Sequence, residues 1–228
     1  MGANAVTTVY DFTAGQVLTA AQMDNVNCGI PVFATTTTRD AAFGGTGEKT
    51  LAEGQFAYIE ATNTTQYYDG SAWQPLGNLG TAIFNEQQSS GTNGGTFNSG
   101  SYQKRTLNTT VVNTIDGCSL ASSVITLPAG TYNVLGQGMG QQVGNHRVRL
   151  QNTTAGTTIA LGFNAFNNDG AGYAQTVSYV NTVFTLSVTS TIELQHRCQT
   201  SKATTGFGFA CSFGDNEVYA QIQIVRTA

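Results

Sequence analysis

Residues 124–150 read VITLPAGTYNVLGQGMGQQVGNHRVRL and place three short alternating segments in succession. Apolar and polar side chains alternate at Val124–Leu127, again at Thr131–Leu135 and again at His146–Leu150, with the period of two that is typical of β-strands. Pro128-Ala129-Gly130 predicts a turn after the first segment, because proline fixes φ and glycine accepts positive φ. The glycine-rich stretch before the third segment predicts a loop. The region therefore indicates strand, turn, strand, turn, strand.

The same pattern continues through residues 81–228, where short apolar segments alternate with Gly, Asn, Ser and Thr clusters. The clearest alternation is in Glu217–Arg226, and a long polar loop is predicted at Ser89–Ser101. No segment here has a helical period, so the spacing indicates an all-β sandwich or barrel. We predict strands at 82–86, 103–113, 122–127, 131–137, 146–152, 157–163, 174–180, 182–189, 191–197 and 217–226.

The composition excludes several classes of partner. Only 10% of the residues are charged and the net charge is -4, so no basic footprint for nucleic acid or an anionic membrane is present. No apolar run approaches the roughly 20 residues of a membrane span. The N-terminal MGANAVTTVYDF lacks the features of a signal peptide, and synthesis in a reducing cytoplasm is expected. A surface with few charges is expected to face copies of the chain or a neutral partner such as glycan.

The four cysteines, Cys28, Cys118, Cys198 and Cys211, form no metal-type pair and no disulfide framework. Cys198 and Cys211 flank one loop, and we predict that they lie on two neighbouring antiparallel strands. Their Cα atoms would then come within the roughly 4.4–6.8 Å that a disulfide requires. Because the protein is expected to be made in the cytoplasm, both cysteines are expected to be free thiols at first.

The first 29 residues contain the one clear helix signal. Thr19 followed by Gln22 forms a capping box, and Gly29 is a plausible residue after the helix end. An isolated helix of about ten residues is marginal in water and needs a packing partner. The residues predicted to attach this segment to that partner are Phe12, Leu18, Thr19, Gln22, Met23 and Val26.

Residues 30–78 predict a small antiparallel β meander. Asp69-Gly70 between two alternating runs is a strong hairpin signal, and Trp73, the only tryptophan, is the expected core residue. Gly77–Gly80 predicts a linker. We therefore divide the chain into an N-terminal strand and helix segment at 1–29, a small β module at 30–78 and a large β domain at 79–228.

Motifs for catalysis and cofactors are weak. Gly44–Thr50 resembles a phosphate loop, but Glu48 interrupts the required Gly-Lys-Thr run, so a solvated turn is favoured. Glu193 and His196 lie an odd number of residues apart and point to opposite faces, so no metal site is predicted. His196 is expected to form a hydrogen bond across strands or at a subunit seam. The acids Asp69, Asp169, Asp215 and Glu217 lie near predicted turns. We predict no enzyme and no cofactor.

Several motifs resemble tailed-bacteriophage tail and fibre proteins. The spaced pattern Phe12, Gly15, Leu18-Thr19-Ala20 is similar to the opening helix of such proteins, and GQFAYIE followed by YYDGSAW is similar to their small β domain. The large domain resembles a C1q/TNF-like jelly roll at Gly91–Gly95, Arg105–Asn108, Leu127–Tyr132, His146–Asn152, Gly206–Gly208 and Glu217–Ile222. The clustered Asp residues of calcium-binding C1q-like domains are absent, so calcium is not expected.

The resemblance implies a homotrimeric structural virion protein of a tailed phage, without catalytic residues. Its N-terminal part would attach to other tail or virion proteins, and its jelly roll would contact the host surface, with glycan as the receptor class. The resemblance also implies that the protein is made in the host cytoplasm, is located in the virion tail or fibre and does not insert into a membrane. Two alternatives remain open: a purely structural adaptor, plug or capsid decoration protein, and a glycan hydrolase.

Aromatic loops are the candidates for receptor contact, since loops on a rigid scaffold commonly carry binding. Aromatic rings and uncharged polar groups suit a neutral saccharide. In the alternative interpretation, these aromatic side chains contact no ligand and only fill the open end of the sandwich. The contact candidates are Phe166, Asn168, Tyr173, Lys202 and Phe207.

Overall fold

The computed structural model describes residues 9–11, 14–19, 22, 29–46, 48–76, 80–168 and 174–227. The chain forms two compact units, 1–77 and 78–228. The three-part division into 1–29, 30–78 and 79–228 stays a prediction. Among the described residues, no helix is long and apolar enough to cross a membrane.

The first unit contains one four-stranded sheet and one short helix. Its elements are β1 (Val32–Phe33), α1 (Thr36–Asp40), β2 (Phe56–Ile59), β3 (Thr64–Tyr68) and β4 (Trp73–Pro75). The sheet order is β1-β2-β3-β4. The antiparallel meander is confirmed for the last three strands, while β1 pairs with β2 in parallel. A parallel pair needs a crossover connection, and α1 lies within it.

The core of this unit differs from the sequence prediction. Trp73 is only half-buried and packs at the edge of a cluster of fully buried side chains. Those side chains come from β1, β2 and the segment after α1: Phe33, Ala42, Ala57 and Ile59. Phe33 and Ile59 fill the centre of this cluster, and the indole of Trp73 packs against it from the rim.

The second unit is a sandwich of two antiparallel sheets. One sheet has the order β14-β10-β16-β5-β7, and the other has the order β12-β11-β15-β9-β8, with β13 beside β11 and β6 beside β15. The bounds are β5 Thr81–Gln88, β6 Gln103–Lys104, β7 Thr109–Asn113, β8 Ser119–Ala121, β9 Val124–Leu127, β10 Gly130–Gln141, β11 Gly144–Asn152, β12 Thr157–Leu161, β13 Ala165–Asn167, β14 Gln175–Leu186, β15 Ser190–Cys198 and β16 Glu217–Arg226.

This strand order confirms the predicted all-β fold with a jelly-roll sandwich. Long strands that follow one another along the chain alternate between the sheets, so that β9 and β10, β14 and β15, and β15 and β16 never pair. Inward-facing apolar side chains from both sheets form one continuous core that includes Phe84, Leu150 and Ile222. The Pro128-Ala129 turn therefore carries the chain from one sheet to the other.

The glycine-rich stretch predicted as a loop is instead part of β10, a strand of 12 residues. At the inward-facing glycines of this stretch, a side chain would come into close contact with the opposite sheet. A Cβ at Gly138 would lie 3.1 Å from Val148 and 3.2 Å from the Nδ1 atom of His196, and one at Gly140 would lie 3.0 Å from His146. Glycine is therefore required here by close packing between the sheets, not by a turn.

Other strand bounds also differ from the prediction. The segments 174–180 and 182–189 form one strand, β14, and the segment 103–113 divides into β6 and β7. Arg105 and Leu107, between β6 and β7, are fully buried. The chain passes from the second sheet to the first along this segment, since β6 pairs with β15 and β7 pairs with β5.

The cysteine prediction is wrong in its topology. Cys198 ends β15, while Cys211 precedes β16, and these two strands belong to different sheets. Both residues are free thiols, with Cys198 buried and Cys211 exposed. Burial raises the pKa of the Cys198 thiol to about 11, so it is unreactive at neutral pH.

Candidate functional site

The predicted contact residues do not form one surface. Phe166 lies in β13 with 62% of its surface exposed, and Asn168 follows it and is exposed. Tyr173 lies outside the described residues. Lys202 is half-buried, and Phe207 is only 8% exposed. Phe207 is therefore a core residue, and its proposed receptor contact is wrong.

Phe207 is buried because two loops close over the end of the sandwich. Its ring stacks on that of Phe97 with 4.2 Å between the centroids. Phe97 and Lys202 exchange two backbone hydrogen bonds of 2.9 Å, which tie the Ser89–Ser101 loop to the loop after β15. Phe97 is the one large apolar residue in its polar loop, and that isolation is the sequence signal for its burial.

Below these rings lies a fully buried ion pair. The Nε atom of Arg105 donates to a Glu86 carboxylate oxygen at 2.6 Å, and the hydroxyl of Thr106 donates to the other oxygen at 2.6 Å. Neither charged side chain is exposed beyond 1%. Three of the four remaining guanidinium N–H groups donate to backbone carbonyls, those of Met139, Phe207 and Tyr219. Arg105 therefore joins both sheets and the loop.

Both histidines of the chain extend this network. Arg105 can only donate, so the Nδ1 atom of His196, 3.3 Å away, accepts. The Nε2–H of His196 then donates to Nδ1 of His146 at 2.9 Å, and the Nε2–H of His146 donates to the hydroxyl of Thr176 at 2.8 Å. The amide of Asn167 also donates to that hydroxyl at 3.2 Å. Each ring thus has one defined neutral tautomer.

The environment keeps both imidazoles neutral. Burial, and secondarily the positive charge of Arg105, lowers the pKa of His146 to about 4. Burial, Arg105 and then His146 hold the pKa of His196 well below its ordinary value. The predicted cross-strand hydrogen bond of His196 is confirmed. The described residues contain no group of three His, Cys, Asp or Glu side chains placed to hold a metal ion.

The outer face of the second sheet carries a concentration of positive charge. Alternation along β11 and β15 points Arg147, Arg149 and Arg197 outward, on the same face as Lys104 and Glu193. Lys104 lies 3.8 Å from Glu193. We call these five residues the basic face, since four cations share it with one acid.

An open groove of about 710 Å³ lies on the basic face. The side chains that line it are mostly cationic, amide or hydroxyl groups, including Tyr102, Asn145, Arg147, Asn164, Arg197 and Gln199. Phe166 is paired directly opposite Asn145 in β11. Because directly opposed residues share one face of a sheet, the exposed Phe166 ring stands beside this groove.

The outer face of the first sheet is different in kind. The registers of β14, β10, β16 and β5 align its outward side chains in rows, and none of them is charged. Leu135, Tyr179 and Val183 are 41%, 43% and 64% exposed. The uncharged face comprises Thr81, Ile83, Asn85, Gln87, Asn133, Leu135, Gln137, Met139, Val177, Tyr179, Asn181, Val183, Gln221, Gln223 and Val225.

Two of the acids identified in the sequence, Asp69 and Glu217, have structural roles. Asp69 accepts hydrogen bonds from the backbone of Ala72 and Ser71 and from the side chains of Ser71 and Gln74, which closes the predicted hairpin. These bonds hold its pKa far below the ordinary value. Glu217 accepts from three backbone N–H groups, those of Cys211, Gly91 and Ser212, and they lower its pKa. Asp215 is exposed, and Asp169 lies outside the described residues.

The N-terminal motifs are described in part. The backbone N–H of Thr19 donates to the Gln22 side chain at 2.9 Å, and the N–H of Gln22 donates to the Thr19 hydroxyl at 3.3 Å. The predicted capping box is confirmed. Leu18 is half-buried, whereas Phe12, Met23 and Val26 lie outside the described residues. At the supposed phosphate loop, the N–H of Gly45 donates to the Glu48 carboxylate at 2.8 Å, which gives a self-contained turn.

Solved structures similar to this chain include three β proteins. The globular domain of zebrafish complement 1qA is 14% identical, with 66% of this chain and 97% of that chain covered and a TM-score of 0.42. Murine APRIL at pH 5.0 is 12% identical, with coverages of 65% and 98% and a TM-score of 0.43. Eiger TNF from S. frugiperda is 12% identical, with coverages of 66% and 94% and a TM-score of 0.44.

No family model matches the chain, and no curated protein sequence matches it. Because these sequence identities are low, the fold is assigned from the chain's own strand order.

Proposed function

We propose that this protein is a homotrimeric, non-enzymatic structural component of a tailed-phage tail or fibre. Its jelly roll associates with two further copies and contacts the host surface, while its N-terminal part binds other virion proteins. The observation that carries the proposal is the uncharged face, because a sheet face without charge can be covered by a copy of itself without burying an unpaired ion.

The difference between the two outer faces supports this use of the first sheet. The basic face would bring cation against cation if two copies met there, which is unfavourable. The uncharged face instead offers amides that can donate and accept, together with Leu135, Tyr179 and Val183 as apolar contacts. A closed ring of three copies covers this face on every copy, so that no face is left open for further association.

The test is the mass of the protein in solution and its response to a charge on the uncharged face. Light scattering is expected to give about three times the chain mass of 23.9 kDa. Val183→Glu is expected to shift the protein to monomers, since three buried carboxylates would lie near one axis. Val188→Glu is the matched control, because Val188 is 61% exposed in the turn between β14 and β15 and outside the uncharged face.

A wild-type monomer at micromolar concentration would overturn the trimer, and an unchanged trimer in Val183→Glu would move the interface to another surface. The virion setting has its own experiment. An electron-microscopy map of particles carrying a tag after residue 227 should place the jelly roll at the distal end of the tail or fibre. Density at a capsid vertex or inside the tail would instead favour decoration or adaptor roles.

A further inference from the structure

Arg147 and Arg197 are directly opposite each other on adjacent strands and share the outer face of the sheet. Two like charges in this position repel each other and destabilise the pair. The ion pairs among the described residues involve Arg39, Lys104 and Arg105, so no described carboxylate lies within 4.0 Å of either arginine. Among the residues that the structure describes, two of the few charges in this protein thus lie together without a neighbouring carboxylate.

Neighbouring side chains hold Arg147 and Arg149 in place. The Nε–H of Arg147 donates to the Tyr102 hydroxyl at 3.2 Å. The Arg149 guanidinium stacks on the Tyr102 ring, 3.9 Å from its centroid, and is fixed further by hydrogen bonds to Gln195 and Thr158. Tyr102 is thereby held from both sides, and Arg147 retains free donors toward the groove. Preorganised donors lose less entropy when a ligand binds.

The geometry points to a binding site for an acidic saccharide, whose carboxylate or phosphate group lies between Arg147 and Arg197. Guanidinium groups match both oxyanions with paired hydrogen bonds. The amides of Asn145 and Asn164 are suited to sugar hydroxyls, and the exposed Phe166 ring offers a flat apolar surface at the edge of the groove. The ligand class is therefore anionic, unlike the neutral glycan expected from composition.

This site deepens the proposed function, and it rests on that proposal in taking the saccharide from a host surface. Binding itself is a property of the purified protein and is measured without phage or cells. A trimer that does not bind acidic sugars would overturn the site and leave the structural role intact. A monomer that binds them would overturn the trimer and leave the site intact.

The first experiment titrates the full-length protein by NMR with five probes: sodium glucuronate, glucose 6-phosphate, glucose, inorganic phosphate and a single-stranded oligonucleotide. We expect at least one sugar acid to bind at least tenfold more tightly than glucose and than inorganic phosphate, because charge and hydroxyl contacts act together. Preference between the first two probes identifies the oxyanion. Equal binding of glucose, or tighter binding of a single-stranded oligonucleotide, would overturn the assignment.

The second experiment removes one charge at a time. Arg147→Gln and Arg197→Gln are each expected to weaken binding of the preferred sugar acid about tenfold or more. Lys104→Gln is the matched control, since it removes the same charge from the same face at a lysine already paired with Glu193, and it should change binding less than twofold. Equal losses in all three variants would indicate general attraction to the face and overturn the site.

Thermal stability separates binding from folding. Relief of the repulsion between Arg147 and Arg197 should leave the melting temperature of either glutamine variant unchanged or slightly raised. A variant that binds poorly and also melts well below the wild type would indicate a structural role for that arginine instead.

Discussion

Glu86→Gln is expected to destabilise the jelly roll by about 3–5 kcal/mol, since it leaves the buried Arg105 charge without its counterion. Arg105 and Glu86 are both fully buried, so water cannot replace the lost carboxylate. The three carbonyls around Arg105 would still accept hydrogen bonds, but they carry no net charge. Urea unfolding followed by circular dichroism, at one protein concentration, measures the loss.

Glu193→Gln provides the matched control on the same domain. Glu193 lies 3.8 Å from Lys104 at the surface, where an ion pair contributes no more than about 1 kcal/mol. A loss in Glu86→Gln as small as that of Glu193→Gln would show that the buried pair is not isolated from solvent.

Stability is also expected to fall steeply as the pH drops from about 6.5 to about 4. The pKa of His146 is about 4 in the folded protein, below its ordinary value of 6.5. In this interval the unfolded chain binds a proton that the folded protein does not, so protonation favours unfolding. At pH 5, His146 alone is expected to contribute a loss on the order of 2 kcal/mol, and the lowered pKa of His196 adds to it.

The measurement is urea unfolding at pH 7.5, 6 and 5. The chain has only two histidines, so a variant with His146→Gln and His196→Gln should show a much flatter profile over this range, whatever its absolute stability. Wild-type stability that is constant or rising between pH 7.5 and 5 would contradict the neutral, buried assignment of both rings.

The basic face shows which features of the sheet can be predicted from sequence patterns and which cannot. Alternation identified β11 and β15 and placed Glu193 and His196 on opposite faces, because side chains along a single strand alternate by local geometry alone. The same rule could not pair Arg147 with Arg197, which lie on strands whose register depends on contacts between residues about 50 positions apart. The arginine pair therefore emerges only in the folded sheet.

Local chemistry gave reliable predictions wherever the partners are close in sequence. The Thr19–Gln22 capping box and the Asp69-Gly70 hairpin are both confirmed, since their hydrogen bonds join residues within five positions. Apolar alternation in residues 81–228 likewise identified an all-β sandwich, since no helical period competes with it.

The failures concern residues whose neighbours are distant in sequence. The glycines at 136–140 have the composition of a loop but lie in a strand, where Leu194, His196 and His146 from the opposite sheet come close to their Cα atoms. Phe207 lies in a loop whose composition is typical of binding loops, but its side chain is buried. The reason is that the Phe97 ring stacks on it from a loop more than 100 residues earlier in the chain. The sequence alone determined the β class of residues 81–228, the hairpin and the cap, because these depend on local backbone preference. Only the tertiary structure decided which side chains are buried, which charges meet and where a groove opens, because those depend on the pairing of distant strands.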